Sequence, residues 1–103
     1  MTFAYSVKSV FEDAAVAKEY AAWLTDGHLA DVIKGGALHA WLVQTGPLEF
    51  EARYLFADAA AFARYEKDHA PALRAEGLAK FPASRGVKMT RAQGEVLLHL
   101  SAS

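Results

Sequence analysis

Four histidines, His28, His39, His69 and His99, are the side chains of this 103-residue chain that titrate near neutral pH. With no cysteine present, they are also its soft metal ligands. No two of them stand at a ligand spacing such as H-x-x-x-H, so neither a metal site nor a haem ligand is expected, and no cofactor is called for. General acid–base work is what remains, with His28, His39 and His69 as its candidates. His39 alternates with Trp41 along one apolar run, and Arg53 in the next run lies within one strand's reach. A planar aromatic or keto acid would stack on Trp41 while Arg53 and Lys8 held its carboxylate through charge-assisted hydrogen bonds. Lys8, His39, Trp41 and Arg53 are therefore the expected ligand-binding set. The competing role for Trp41 is an interface anchor, with Arg53 paired to Glu51 or to an acid of another chain. For His28 and His69, each at a helix junction, it is closing that break by hydrogen bonding. Gly35-Gly36 lacks the G-x-G-x-x-G pattern, and no G-x-S-x-G occurs, so no nucleotide loop and no activated serine is indicated.

These residues need a scaffold. Phe3 to Phe11 alternates as a strand with one buried face, and Asp13 then caps an Ala-rich helix carrying Val16, Tyr20, Trp23 and Leu24. That helix ends near Gly27, and a shorter piece, residues 28–34, stops at Gly35-Gly36. Residues 38–44 and 49–56 read as a hairpin across Thr45-Gly46-Pro47. Asp58 caps a second Ala-rich helix with Phe62, Tyr65 and His69, and Pro71 restarts it. Lys67, Asp68, Arg74 and Glu76 read as a solvated, mixed-sign helix surface, and the helical aromatics Tyr20, Trp23, Phe62 and Tyr65 as core. Residues 87–91 form a fourth strand, and Gln93-Gly94 turns the chain into a final short strand over residues 95–100.

A shift of 45 residues superposes Phe11 on Phe56, Asp13 on Asp58, Ala14 and Ala15 on Ala59 and Ala60, and Tyr20 on Tyr65. One strand–cap–helix unit is thus written twice, giving the order β-α-β-β-α-β, the ferredoxin-like α+β plan in a single domain spanning the chain. Right-handed crossovers are expected to make strands one and three parallel central neighbours, with strand four beside one and strand two beside three.

Both helices then cover one face of a four-stranded antiparallel sheet and leave the other bare. By strand parity the bare face carries Ser6, Lys8 and Val10, His39, Trp41 and Val43, Glu51, Arg53 and Leu55, and Lys88 and Thr90. Leu38, Ala40 and Leu42 turn to the helices. A face this apolar and this charged calls for a second copy packed sheet to sheet, with a wet cleft for the cations. The final strand would pair with the partner's edge.

The run from Tyr65 through His69, Pro71 and Arg74 to Glu76, together with Trp23 followed by His28, resembles a bacterial family of small proteins of unknown function in the dimeric α+β barrel group. The likeness covers roughly residues 4–95. It implies fold and dimerisation and carries no activity. Enzymes of the wider group include small monooxygenases, lactone isomerases and haem-dependent dismutases, and analogy with them rests on fold alone.

Composition narrows the partners. Eleven Lys and Arg against twelve Asp and Glu give a formal net charge of -1, which provides no broad basic field for nucleic acid or an anionic membrane. Lys8, Glu12 and Asp13 interrupt the N-terminal apolar run, so no signal peptide is read and a cytoplasmic location is expected. The sequence thus points to a homodimer binding a small organic acid. The alternatives are a cofactor-independent oxygenase or isomerase using one of the three histidines as base and Arg53 as anion holder, and an interaction module without a pocket.

Overall fold

A computed structural model describes residues 1–102. Strand β1 (Phe3–Phe11) leads to helix α1 (Ala14–Trp23), a π-turn (Leu24–His28) and α2 (Leu29–Lys34). The hairpin β2 (His39–Gly46) and β3 (Glu49–Phe56) follows, then α3 (Ala59–Asp68), α4 (Ala70–Lys80), a 3₁₀ turn (Ala83–Arg85) and β4 (Val87–Glu95). The sheet order is β2-β3-β1-β4 and the helices cover one face, which is the ferredoxin-like α+β fold.

The expected strand order holds, but β1 and β3 run antiparallel rather than parallel. Each strand–helix–strand crossover skips one position, so the parallel pairs are β1 with β2 and β3 with β4, and β3, as hairpin partner of β2, runs against both neighbours. The repeat is visible in three dimensions. Asp13 accepts hydrogen bonds from the Ala15 and Val16 amides, and Asp58 accepts one from Ala61, each satisfying helix-start donors that have no partner within the helix. The two halves supply two core clusters, one built on Phe11, Ala17 and Tyr20 and the other on Phe56, Phe62 and Tyr65.

Gly36 reverses the chain at φ +122°, as the Gly-Gly pair predicts. Pro71 sits in the first turn of α4. Leu38, expected against the helices, precedes β2 and is half exposed, whereas Ala40 and Leu42 pack on the core. The expected turn at Gln93-Gly94 does not form, because these residues pair with Tyr5 and Ala4 and extend β4 to Glu95. The Val96 amide donates one further bond to the Thr2 carbonyl. Beyond that, β1 offers almost no backbone to pair with, so residues 96–100 form no strand within the protomer, and Leu97, Leu98 and Leu100 are exposed on the single chain.

Candidate functional site

Register divides the sheet cleanly. Ser6, Lys8, Arg53, Glu51, Trp41 and Thr90 share the bare face, as parity requires, while Tyr5, Ala52, Tyr54 and Arg91 look toward the helices. On that helix side a cavity of about 60 Å³ lies at the seam of the two half-cores. All four tyrosines of the chain line it: Tyr5 and Tyr54 from the sheet, Tyr20 from α1 and Tyr65 from α3.

Two cations converge at its polar end. Arg74, from α4, donates to the Tyr5 hydroxyl at 3.2 Å, and Arg91, from β4, donates to the same oxygen at 3.1 Å. Glu66 holds Arg74 at 2.8 Å and raises its already high pKa, whereas Arg91 makes no ion pair among the described residues. With both acceptor positions of its oxygen taken, Tyr5 has only its proton left to offer. One guanidinium in excess over carboxylate and one free hydroxyl proton therefore face whatever enters, which is recognition chemistry for an anionic oxygen.

The other end is aromatic and titratable. His28, half buried at the close of the π-turn, stacks on Trp23 with ring centroids 4.3 Å apart. Its Nδ1 is shielded from water and has no hydrogen-bond partner. Burial holds the imidazole pKa below its usual value, against the opposing pull of Glu76 and Asp31, so the ring is a neutral proton acceptor. Trp23 is seated by Gly77 of α4, where a Cβ would come within 3.2 Å of the indole. Burial pushes the Tyr65 hydroxyl up to about 12 and raises Tyr20 and Tyr54 as well, keeping these three phenols protonated. Ser9, fully buried, donates to Tyr20 at 2.9 Å.

The residues expected from sequence fall in three separate places. Lys8, His39, Trp41 and Arg53 lie on the bare face, where Trp41 and Arg53 border a shallow trough of about 360 Å³. There Arg53 is bound to Glu51 at 2.8 Å and Lys8 lies 3.9 Å from Glu49, so both cations already have partners. His39 is exposed at the start of the outermost strand, and His69 is exposed at the α3–α4 junction. Neither His28 nor His69 closes its helix break through a side-chain cap. Of the three candidate bases only His28 reaches the cavity.

Two residues of the cavity escape the sequence reading. Arg74, expected to be solvated, belongs to the inner stripe of α4, four residues after buried Ala70 and three before buried Gly77. Arg91 shares parity with Val87 and Met89, both packed on the core, and that alternation is the signal that it faces the helices.

No family model matches the chain, and no curated protein does. Solved structures do resemble it in fold. A dimeric ferredoxin-like protein from an uncultured marine organism superposes with a TM-score of 0.73 at 9% identity, covering 99% of this chain and all of the other. SnoaB, a cofactor-independent oxygenase from Streptomyces nogalater, gives a TM-score of 0.65 at 14% identity, with 98% of each chain covered. A monooxygenase from the ActVA-Orf6 gene of Streptomyces coelicolor, in complex with nanaomycin D, gives 0.65 at 16% identity, covering 96% of this chain and 92% of the other. The resemblance to the dimeric α+β barrel group therefore stands at the level of fold, and no helix is long and apolar enough to cross a membrane.

Proposed function

We propose that this chain binds a small planar aromatic or keto acid in the cavity between its helices and its sheet. The observation that carries this reading is the convergence of Arg74 and Arg91 on the Tyr5 hydroxyl in a cavity otherwise lined by aromatic and aliphatic side chains and His28. The acid's oxygens replace water around Arg91 and the Tyr5 proton, and its ring lies among Tyr54, Tyr65 and Trp23. At about 60 Å³ the cavity is smaller than the roughly 150 Å³ that admits benzene, so a ring enters only as Trp23 or Leu78, 60% exposed at the rim, gives way. The test is thermal stabilisation by benzoate, naphthoate and phenylpyruvate. Arg91→Ala is expected to abolish the shift and Arg53→Gln to keep it. The opposite pattern would place the acid on the bare face instead, with Lys8, His39, Trp41 and Arg53 as its binding set.

One observation favours a second reading: the neutral, partnerless His28 sits in the same cavity, and neighbours of this fold include a cofactor-independent oxygenase. In that reading His28 takes a proton from an activated methylene of the bound compound. The carbanion electrons then reduce dioxygen, so that R₂CH₂ and O₂ become R₂C=O and H₂O with the substrate as sole reductant. If the proton returns to a different carbon, the reaction is an isomerisation. Oxygen uptake with an enolisable aromatic ketone that is lost in His28→Gln supports the oxygenase. Neither uptake nor proton exchange leaves a binding protein.

We also infer that the chain is a homodimer, as the ferredoxin-like neighbour from the marine organism is described to be.

A further inference from the structure

The polar end of the helix-side cavity carries an uneven set of charges. Arg74 and Arg91 are the charged residues in its wall, and no carboxylate is among its described lining residues. The negative charge that tempers them comes from behind: Glu66 of α3 holds Arg74 of α4 at 2.8 Å, with side chains 29% and 33% exposed. Glu76 and Asp31 act on the imidazole of His28 at the other end, and among the described residues neither pairs with an arginine.

The donors are divided as unevenly. Nη2 of Arg74 serves both Glu66 and the Tyr5 hydroxyl, so this nitrogen has no proton left for a ligand. Arg91 gives its Nε proton to the same tyrosine oxygen, and its two terminal nitrogens have no partner among the described residues. An entering acid therefore finds the Tyr5 proton and the terminal nitrogens of Arg91, one donor group for each oxygen of a carboxylate.

Resting on the reading that an acid binds in this cavity, we propose that Glu66 determines which acids it accepts: by neutralising Arg74, Glu66 restricts the site to singly charged ligands, carboxylates or enolates, and rejects dianions such as phosphate monoesters. Two guanidiniums and one carboxylate leave one positive charge. A monoanion cancels it. A dianion leaves one negative charge uncompensated against phenol and aliphatic walls, and an uncompensated charge in such surroundings is costly. Glu66 touches no ligand itself. It sets the charge through Arg74, so its signature is a ratio of affinities between ligands of different charge.

Titration calorimetry of the full chain at about pH 8 tests this with benzoate and phenyl phosphate, which share a ring and differ by one charge because a phosphate monoester has its second pKa near ~6. Wild type is expected to favour benzoate. Glu66→Gln keeps an amide oxygen for Arg74 to donate to and is expected to tighten both ligands, phenyl phosphate about tenfold more than benzoate, the effect of one added unit of ligand charge at an effective dielectric between about 20 and that of water. Glu66→Asp keeps the charge while shortening the reach, and it should keep the wild-type ratio. Glu19→Gln removes a carboxylate from the Arg85 pair, outside the cavity, and should also leave the ratio alone. A ratio unmoved in Glu66→Gln, moved equally in Glu66→Asp or Glu19→Gln, or favouring phenyl phosphate in wild type overturns the role of Glu66. Benzoate binding that still depends on Arg91 then leaves the cavity reading standing. Benzoate binding that is absent at millimolar concentration, or indifferent to Arg91→Ala, removes the cavity reading itself and this proposal with it.

Discussion

Tyr20 and Tyr65 hold equivalent places in the two halves of the chain, 45 residues apart, and both enter the same cavity, one from α1 and the other from α3. A duplicated strand–helix unit packs its two half-cores side by side. The seam between them gathers aromatic side chains from both halves without further instruction. Residues with no counterpart in the other half, such as Arg74 and Arg91, then give the seam its polarity. A ferredoxin-like slab therefore places a concavity on each side: a narrow seam under the helices and a shallow trough on the open sheet.

The Ser9–Tyr20 pair is buried and mutually satisfied, so its removal has a defined signature. Ser9→Ala strands the Tyr20 hydroxyl and is expected to cost about 1–3 kcal/mol in urea unfolding. Tyr20→Phe strands the serine at a similar cost. The double variant should cost less than the sum, giving a positive coupling in a double-mutant cycle. Strict additivity would mean that the hydroxyls do not interact.

His28 makes stability depend on pH. Its folded pKa lies below the unfolded value of 6.5, so the unfolded chain binds more protons and stability rises with pH across that window. The contribution is whole above about pH 6.5 and is lost as pH falls toward the folded pKa. The melting temperature of His28→Gln, measured from pH 7.5 down to 5, a range set by the ordinary histidine pKa of ~6.5, should fall less steeply than that of wild type. Parallel profiles would remove His28 as the source.

The duplicated caps should be duplicated in energy. Asp13→Ala and Asp58→Ala each leave helix-start amides without a side-chain acceptor, and each is expected to cost about 1 kcal/mol. Because they serve different core clusters, their effects should add to within about 0.5 kcal/mol in chemical denaturation.

Much of this architecture is legible in the residues alone. Strand alternation, the two Asp caps and the 45-residue repeat determined the strand order, the helix-covered face and the placement of Lys8, Trp41 and Arg53 on the open one. Those are local or periodic signals, written within a few residues of where they act. Only the tertiary structure decided that Arg74, a member of a charged helix stretch, turns inward to meet Arg91 at Tyr5, and that of three histidines His28 alone reaches the cavity. It also decided that Arg53 is held by Glu51 and that β4 runs on through Gln93-Gly94 to Glu95 instead of turning there. Tyr5, Arg74 and Arg91 are far apart in sequence, and no local pattern encodes a contact that exists only once α4 has closed over the sheet.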